Sequence, residues 1–200
     1  MEAIVSTYNA DGGANAAPMG VEAQDKRHVS IRPYISSSTY RNLRLRRCAV
    51  INITSEPELY YRTALNDNFR DELPSEWFEK AEFVDAPRLR VADGFIEVSV
   101  EDEKDLDGGR CEILCEVRSI KALKKPPTAY CRAVFATIEA VIHATRVEPL
   151  IASGRRGEAY RLIELIDHYR GIVDRVAPRS RYSEIMRNLM DMMNFKGVKR

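Results

Sequence analysis

Short apolar runs separated by turn-forming residues fill the first part of the chain, which is the pattern of β-strands. Ala3 to Tyr8 ends in the turn-forming cluster Asn9 to Gly13, and we expect Pro18 to Ala23 to return as the second strand of a hairpin. A third short strand is expected at His28 to Arg32. Arg47 to Thr54 is mostly apolar and β-branched, so it predicts a buried strand.

Short helices are expected between these strands. Ser38 to Arg46 reads as helical. Ser55 to Glu58 is a capping box with proline in the first turn, so it predicts the start of a helix that reaches about Asn66. Pro74 to Phe78 indicates another short helix.

A second hairpin is predicted by alternation of apolar and polar residues, which Leu114 interrupts on the polar face. Ile96, Val98 and Val100 alternate with polar neighbours, among them Glu97. After a turn at Asp107 to Gly109, the alternation resumes from Cys111 to Val117. Such a pattern is typical of antiparallel strands with one buried and one wet face, so Glu97 is expected on the wet face.

The hydrophobic period changes from two to about 3.6 after Lys124 to Pro127, which we interpret as a domain boundary. Helices are then expected at Thr128 to Ala152, Glu158 to Val176 and Ser183 to Phe195. The middle helix carries the inward stripe Leu162, Ile166, Tyr169, Val173 and Val176. The sequence thus predicts an α+β chain, with a β-rich domain at 1–125 and a helical segment at 126–200.

Composition and charge narrow the function classes. The chain has 31 basic and 30 acidic residues, a formal net charge of +1, and no run long enough for a membrane span. We therefore expect neither a nucleic-acid nor a membrane partner. The N-terminus lacks a secretory pattern, so a cytoplasmic location is expected. The four cysteines show no metal-ligand spacing, which favours reduced, mostly buried thiols and no metal site.

Three segments carry residues that could hold a ligand. Asn15 to Gly20 has small residues that let a flat ligand approach the backbone, or it is simply an irregular hairpin strand. Ser36 to Asn42 offers hydroxyls and free N–H groups at a helix start, which suits a phosphate, with Arg41 or Arg32 adding charge; its alternative is an ordinary helix cap. Asn52, inside a buried strand, bonds either a ligand ring edge or neighbouring backbone.

The helix expected from Thr128 to Arg146 also carries charged residues. Glu139 and His143 are four residues apart, which we interpret as an ion-paired helix flank rather than a metal site. No arrangement of nucleophile and base is recognisable, which counts against a hydrolase.

Taken in order, three motifs resemble a known family. They are T-x-N-x-D-G-x-x-N-A-A-P-M-G at Thr7 to Gly20, P-Y-x-x-S-S-T-Y-R-N-L at Pro33 to Leu43, and A-V-I-N-I-T at Ala49 to Thr54. Together they look like an uncharacterised, mainly archaeal family of FMN-binding split β-barrel proteins, similar to the flavin reductase-like group. The segment Ala129 to Arg146 resembles the helical tail of this family, although family members commonly have Asn where this chain has Cys131.

The resemblance implies a split β-barrel followed by three helices, FMN as cofactor, and a homodimer with FMN near the subunit interface. By this resemblance Ser38, Thr39 and Asn42 would hold the FMN phosphate, with Arg41 in support. The isoalloxazine or ribityl side would be lined by Asn15, Ala17, Pro18, Met19 and Asn52.

The leading functional hypothesis is an FMN-dependent oxidoreductase or flavin reductase. It would exchange hydride with a nicotinamide, a deazaflavin or a pterin, because the redox chemistry belongs to the cofactor and the protein supplies position and electrostatics. The alternatives are a non-catalytic flavin carrier or sensor, and a dimerisation module with an empty barrel whose seam runs from Leu162 to Val176.

Overall fold

A computed structural model describes residues 2–65, 73–123 and 131–195. Its strands are β1 (Glu2–Tyr8), β2 (Ala14–Ala23), β3 (His28–Ile31), β4 (Cys48–Ile53), β5 (Phe78–Lys80), β6 (Pro87–Leu89), β7 (Gly94–Leu106) and β8 (Arg110–Ala122). Its α-helices are α1 (Ser38–Arg46), α2 (Pro57–Ala64), α3 (Arg132–Ala152), α4 (Arg156–Val176) and α5 (Arg181–Phe195).

The chain divides into two compact units. The first comprises residues 1–54 and 70–126, and the second comprises residues 55–69 and 127–200. Helix α2 therefore groups with the C-terminal helices, although it lies between two strands in the sequence. The expected boundary at Lys124 to Pro127 and the expected helix start at Thr128 lie outside the described residues.

Six antiparallel strands of the first unit close into a barrel in the order β1-β2-β3-β8-β7-β4. The barrel interior is filled by apolar side chains that alternate along each strand, including Val5, Ile31, Ile51, Val98 and Ile113. Cys111 and Cys115 share this interior, and burial raises the pKa of the Cys115 thiol to about 12. This thiol is therefore a small core residue rather than a nucleophile.

Strand β2 begins at Ala14, so the expectation that it begins at Pro18 was wrong. The turn is tight because Gly12 adopts a positive φ of 90°, and the ladder consequently starts at once, with Tyr8 opposite Ala14. Pro18 lies inside the strand. This is tolerated because residues 14–20 pair with β1 alone among the described strands, so the proline can face an unpaired edge.

Glu97 is buried, with 1% of its surface exposed, so its expected place on a wet face was wrong. Its carboxylate accepts hydrogen bonds from the backbone N–H groups of Glu82 at 3.2 Å and Phe83 at 2.6 Å. These residues lie between β5 and β6, a hairpin that the sequence did not predict. Its loop covers the outer face of the barrel and gives the carboxylate two donors there.

Other element boundaries differ in smaller ways. Strands β7 and β8 are 13 residues each, longer than the alternation indicated. The cap of α2 is Glu56 rather than Ser55, because the Glu56 carboxylate accepts the N–H of Glu58 at 3.3 Å. The helix ends at Ala64, and only three residues near Trp77 form the helix expected at Pro74 to Phe78.

In the second unit, α3 packs along α4, while α2 and α5 contact α3. Inward residues of α4 are Ala159, Ile166 and Val173, as the 3.6-residue period predicts, but Val176 is 41% exposed. Contacts between α2 and α5 include the ion pair of Glu56 with Arg181 at 3.0 Å.

Candidate functional site

Helix α1 lies against β1 and β2 and turns its buried residues Thr39, Asn42 and Leu43 toward them. Its sequence-predicted bounds, Ser38 to Arg46, are confirmed. Ser37 is the N-cap, because its hydroxyl accepts the N–H of Tyr40 at 3.2 Å. The cap therefore belongs to Ser37, which leaves Ser38 and Thr39 as the first residues of the helix.

The start of α1 presents backbone hydrogen-bond donors that are not used by any described residue. The first N–H groups of an α-helix have no partner within the helix. Within the described hydrogen bonds, those of Ser38 and Thr39 have no acceptor outside it. The half-buried Ser38 hydroxyl lies 2.9 Å from the Arg41 guanidinium, which donates to it. Two N–H groups, a hydroxyl and a guanidinium thus converge on one helix end, a donor set that suits an anion.

Of the two arginines proposed from the sequence, Arg41 is the one whose positive charge is not neutralised by a carboxylate of the described residues. Arg32 donates to Glu112 at 2.7 Å and to Glu22 at 2.8 Å, so two carboxylates already neutralise it. No carboxylate of the described residues pairs with Arg41, whose side chain is exposed. The helix start and Arg41 therefore carry a net positive field toward solvent.

A buried network of hydroxyls and amides ties the start of α1 to the barrel. Asn15 donates to Thr7 Oγ1 at 3.2 Å and to Thr39 Oγ1 at 3.1 Å. Asn42 donates to the same Thr7 oxygen at 3.0 Å and to Asn9 Oδ1 at 2.8 Å. Thr39 and Asn42 are 1% and 5% exposed, so their side chains point into this network rather than outward. That the side chains of Thr39 and Asn42 contact the FMN phosphate stays a prediction.

Thr7 is the residue that sequence reasoning missed. It is fully buried, and it lies directly opposite Asn15 in the ladder between β1 and β2. The signal was present in the sequence, because a tight turn at Asn9 to Gly13 places residues equally far from it across from each other.

The structure separates the other proposed residues between the two faces of the barrel wall. Asn15, Ala17 and Met19 lie opposite Thr7, Val5 and Ala3, so they share the inner face, and Met19 packs against the core. Pro18 lies opposite Ile4 and faces outward. The segment predicted to line a flavin thus presents alternate residues to opposite sides.

Asn52 lies apart from these residues, in a polar cluster on the outer face. It is fully buried, and its amide donates to Ile4 O at 2.9 Å and to Ser6 Oγ at 2.8 Å. Its oxygen accepts the N–H of Leu89 at 2.7 Å, while the Ser6 hydroxyl donates to Pro87 O at 2.5 Å. Asn52 thereby joins β4, β1 and β6. These contacts favour the second of the two roles considered for it, bonding to neighbouring backbone.

His143, in the second unit, is half-buried and stacks on Tyr169 with ring centroids 5.9 Å apart. Burial lowers the pKa of its imidazole, and the nearby Glu139 only partly opposes this. Among the described residues no group of three His, Cys, Asp or Glu side chains could hold a metal ion. No helix in the described ranges is long and apolar enough to cross a membrane.

Comparison with solved structures shows which known folds this architecture resembles. An FMN-bound protein from Methanosarcina mazei, of the DUF447 family model, aligns with a TM-score of 0.76 and 22% identity, over 95% of this chain and 93% of that chain. Nitrilotriacetate monooxygenase component B from Bacillus cereus aligns with a TM-score of 0.51 and 19% identity, over 60% of this chain and 68% of its own. Flavin reductase HpaC, complexed with NADP+, aligns with a TM-score of 0.51 and 21% identity, over 64% of this chain and 81% of its own.

These alignments confirm the split β-barrel fold that the resemblance implied. No curated protein was found to match the sequence. Residues 1–140 match a family model described as "Protein of unknown function (DUF447) N-terminal domain". This match covers well over half of the chain, so the protein belongs to the DUF447 family.

Proposed function

We propose that this protein binds FMN and works as an FMN-dependent oxidoreductase or flavin reductase. The observation that carries the proposal is the start of α1. There the N–H groups of Ser38 and Thr39, the Ser38 hydroxyl and the Arg41 guanidinium meet, and no carboxylate of the described residues pairs with Arg41. A phosphate monoester needs this combination of donors and positive charge, and the residues present fit it. The FMN-bound relative of the same family supports the choice of FMN.

The phosphate is held by the Ser38 hydroxyl, by the N–H groups of Ser38 and Thr39, and by the Arg41 guanidinium. Thr39 and Asn42 do not contact the phosphate through their side chains in this proposal. Their side chains hold the start of α1 against β1 and β2 by hydrogen bonds. Asn15 belongs to the same network, because its half-buried amide donates to Thr7 on β1 and to Thr39 on α1.

In this proposal the flat ring system lies against the backbone edge of β2 at Ala17 and Pro18, whose side chains face opposite sides of the barrel wall. A ring can approach the backbone there because Ala17 is small and because, among the described strands, residues 14–20 pair with β1 alone. FMN, when bound, supplies hydride transfer, and the chain supplies binding, orientation and the surrounding field. A nicotinamide is the electron donor we favour, since one structural neighbour is a flavin reductase complexed with NADP+; deazaflavin and pterin donors are tested beside it.

The active form is proposed to be a homodimer. Ile51, Ile96 and Ile120 lie side by side across β4, β7 and β8 and share one face. The first two are buried, but Ile120 is 66% exposed. Ile53 and Leu123, at the same end of these strands, are also exposed. A second copy would cover this end, since exposed apolar residues that continue a core mark an interface.

The first experiment measures cofactor binding. Protein purified from cells should be yellow, show flavin absorbance bands and release FMN on denaturation. Replacing Ser38 and Arg41 together by alanine should weaken FMN binding by about tenfold or more, because each removes a hydrogen bond to a charged group, while riboflavin binding changes little. Ser75→Ala is the control, since Ser75 is an exposed serine that lies outside the Ser36 to Asn42 segment. Colourless protein that fails to bind added FMN would refute the proposal.

The second experiment separates catalysis from carriage. An oxidoreductase accepts hydride from NADH, NADPH, a reduced deazaflavin or a reduced pterin, and under anaerobic conditions this bleaches the bands of the bound FMN once. When O2 or excess free FMN is supplied as electron acceptor, it oxidises many equivalents of that donor per bound FMN. A carrier or sensor binds FMN but shows no turnover with any donor. A dimerisation module with an empty barrel binds no flavin, and removing Leu162 and Tyr169 from α4 would then dissociate it.

A further inference from the structure

We propose that Thr7 is a positioning residue for the anion site at the start of α1, an inference that rests on the proposed function. Thr7 has no exposed surface, so we assign it no direct contact with the phosphate. Its hydroxyl oxygen accepts from Asn15 on β2 and from Asn42 on α1. One buried atom therefore links the barrel hairpin to the helix that carries the phosphate donors.

The Thr7 hydroxyl oxygen is important because two buried asparagine amides share it as an acceptor. Each asparagine amide has two N–H hydrogens. Those of Asn15 bond Thr7 and Thr39, and those of Asn42 bond Thr7 and Asn9. Every amide hydrogen is used, and the Thr7 oxygen is the acceptor that the two amides share. The network is fully connected only while Thr7 has a hydroxyl.

Removing the Thr7 hydroxyl would shift the start of α1 by changing the buried hydrogen bonds that hold it against the barrel. In Thr7→Val, a substitution of nearly equal shape, one N–H of each amide loses its acceptor in a buried place. Both amides must then turn, and Asn15 can release Thr39. The N–H groups of Ser38 and Thr39 move with the helix start, and an anion site tolerates only about 0.5 Å of such movement. Riboflavin has no phosphate, so its affinity should not depend on this geometry.

The experiment compares dissociation constants for FMN and riboflavin, measured by flavin fluorescence with the purified full chain. Thr7→Val should raise the FMN constant by about tenfold, with the riboflavin constant nearly unchanged. Thr7→Ser, which restores the hydroxyl, should recover the preference for FMN. Ser30→Ala is the matched control, since Ser30 is also a buried hydroxyl that accepts from an amide, that of Gln24 at 2.8 Å, but on β3. It should lower stability and leave the FMN preference intact.

Asn15→Ala keeps the test valid if Thr7→Val does not fold. Asn15 is half-buried, and its loss removes the bond to Thr39 while Asn42 stays on Thr7. A smaller loss of FMN preference is expected. Equal weakening of FMN and riboflavin, or an unchanged ratio in both variants, would overturn the positioning role alone. Wild-type protein with no preference for FMN over riboflavin would overturn the phosphate site and the inference with it.

Discussion

Replacing Asn52 by alanine tests whether this buried amide belongs to the fold or to a ligand. In the structure its oxygen accepts the N–H of Leu89, and its amide donates to Ile4 O and Ser6 Oγ. These partners, and Val50 O, which the amide also contacts at 3.3 Å, lie in the barrel wall or in the hairpin beside it. Alanine removes every one of these bonds. Water has no access to the groups that lose these bonds, because Ile4, Ser6 and Asn52 are fully buried and Leu89 is 1% exposed.

The cost follows from the groups that lose a partner. A buried donor or acceptor without a partner costs about 1–3 kcal/mol, and Leu89 N–H and Ile4 O both lose one. Ser6 keeps its bond to Pro87 O and adds little. A destabilisation of about 3 kcal/mol is therefore expected. For a chain of 200 residues this lowers Tm by about 6–12 °C.

The assay is thermal unfolding of flavin-free protein, followed by circular dichroism, together with FMN and riboflavin titrations at a temperature where the variant is folded. Gln24→Ala is the control, because Gln24 is an exposed amide of the same unit with a single bond to Ser30. Its Tm should fall by less than about 4 °C, as for one lost hydrogen bond. An unchanged Tm for Asn52→Ala, with weaker binding of both flavins, would show that Asn52 contacts the ring and would refute the structural role.

Two further outcomes are expected. The pKa of His28 is raised above 6.5, first by its hydrogen bond to Asp25, while Glu101 lies 3.2 Å from the other ring nitrogen. Charged His28 thus stabilises the fold below pH 6.5 and stops doing so as the pH rises through its raised pKa. The Tm difference between wild type and His28→Gln should shrink over that interval, and a pH-independent difference would contradict this reasoning. If the proposed homodimer forms through the exposed end of β4 and β8, Ile120→Lys should yield monomer in light scattering, whereas Glu139→Lys on α3 should not; a dimer that survives Ile120→Lys would place the interface elsewhere.

Local signals were enough to predict α1 and most of the barrel strands. The bounds of α1 depend on its serine-rich start and on the apolar strand that follows it, so they were readable within a few residues. The hairpin of β5 and β6 was not, because each strand has only three residues. Its position depends on distant groups, the Asn52 oxygen that holds Leu89 and the Glu97 carboxylate that holds the loop. The local pattern of hydrophobic and polar residues does not predict such long-range contacts.

The roles of the polar residues of the site also depend on contacts that local sequence patterns do not report. Asn15 and Asn52 were both assigned to the flavin, and their residue type does not distinguish them. They differ because Thr7 and Ser6, as neighbours on β1, point to opposite faces of the barrel wall. Thr7 meets Asn15 beside the unused donors of α1, whereas Ser6 meets Asn52 in a cluster that the protein completes by itself. Strand register therefore decides which asparagine can serve a ligand, and it follows that flavin affinity should respond to changes around Thr7 while stability responds to changes around Ser6.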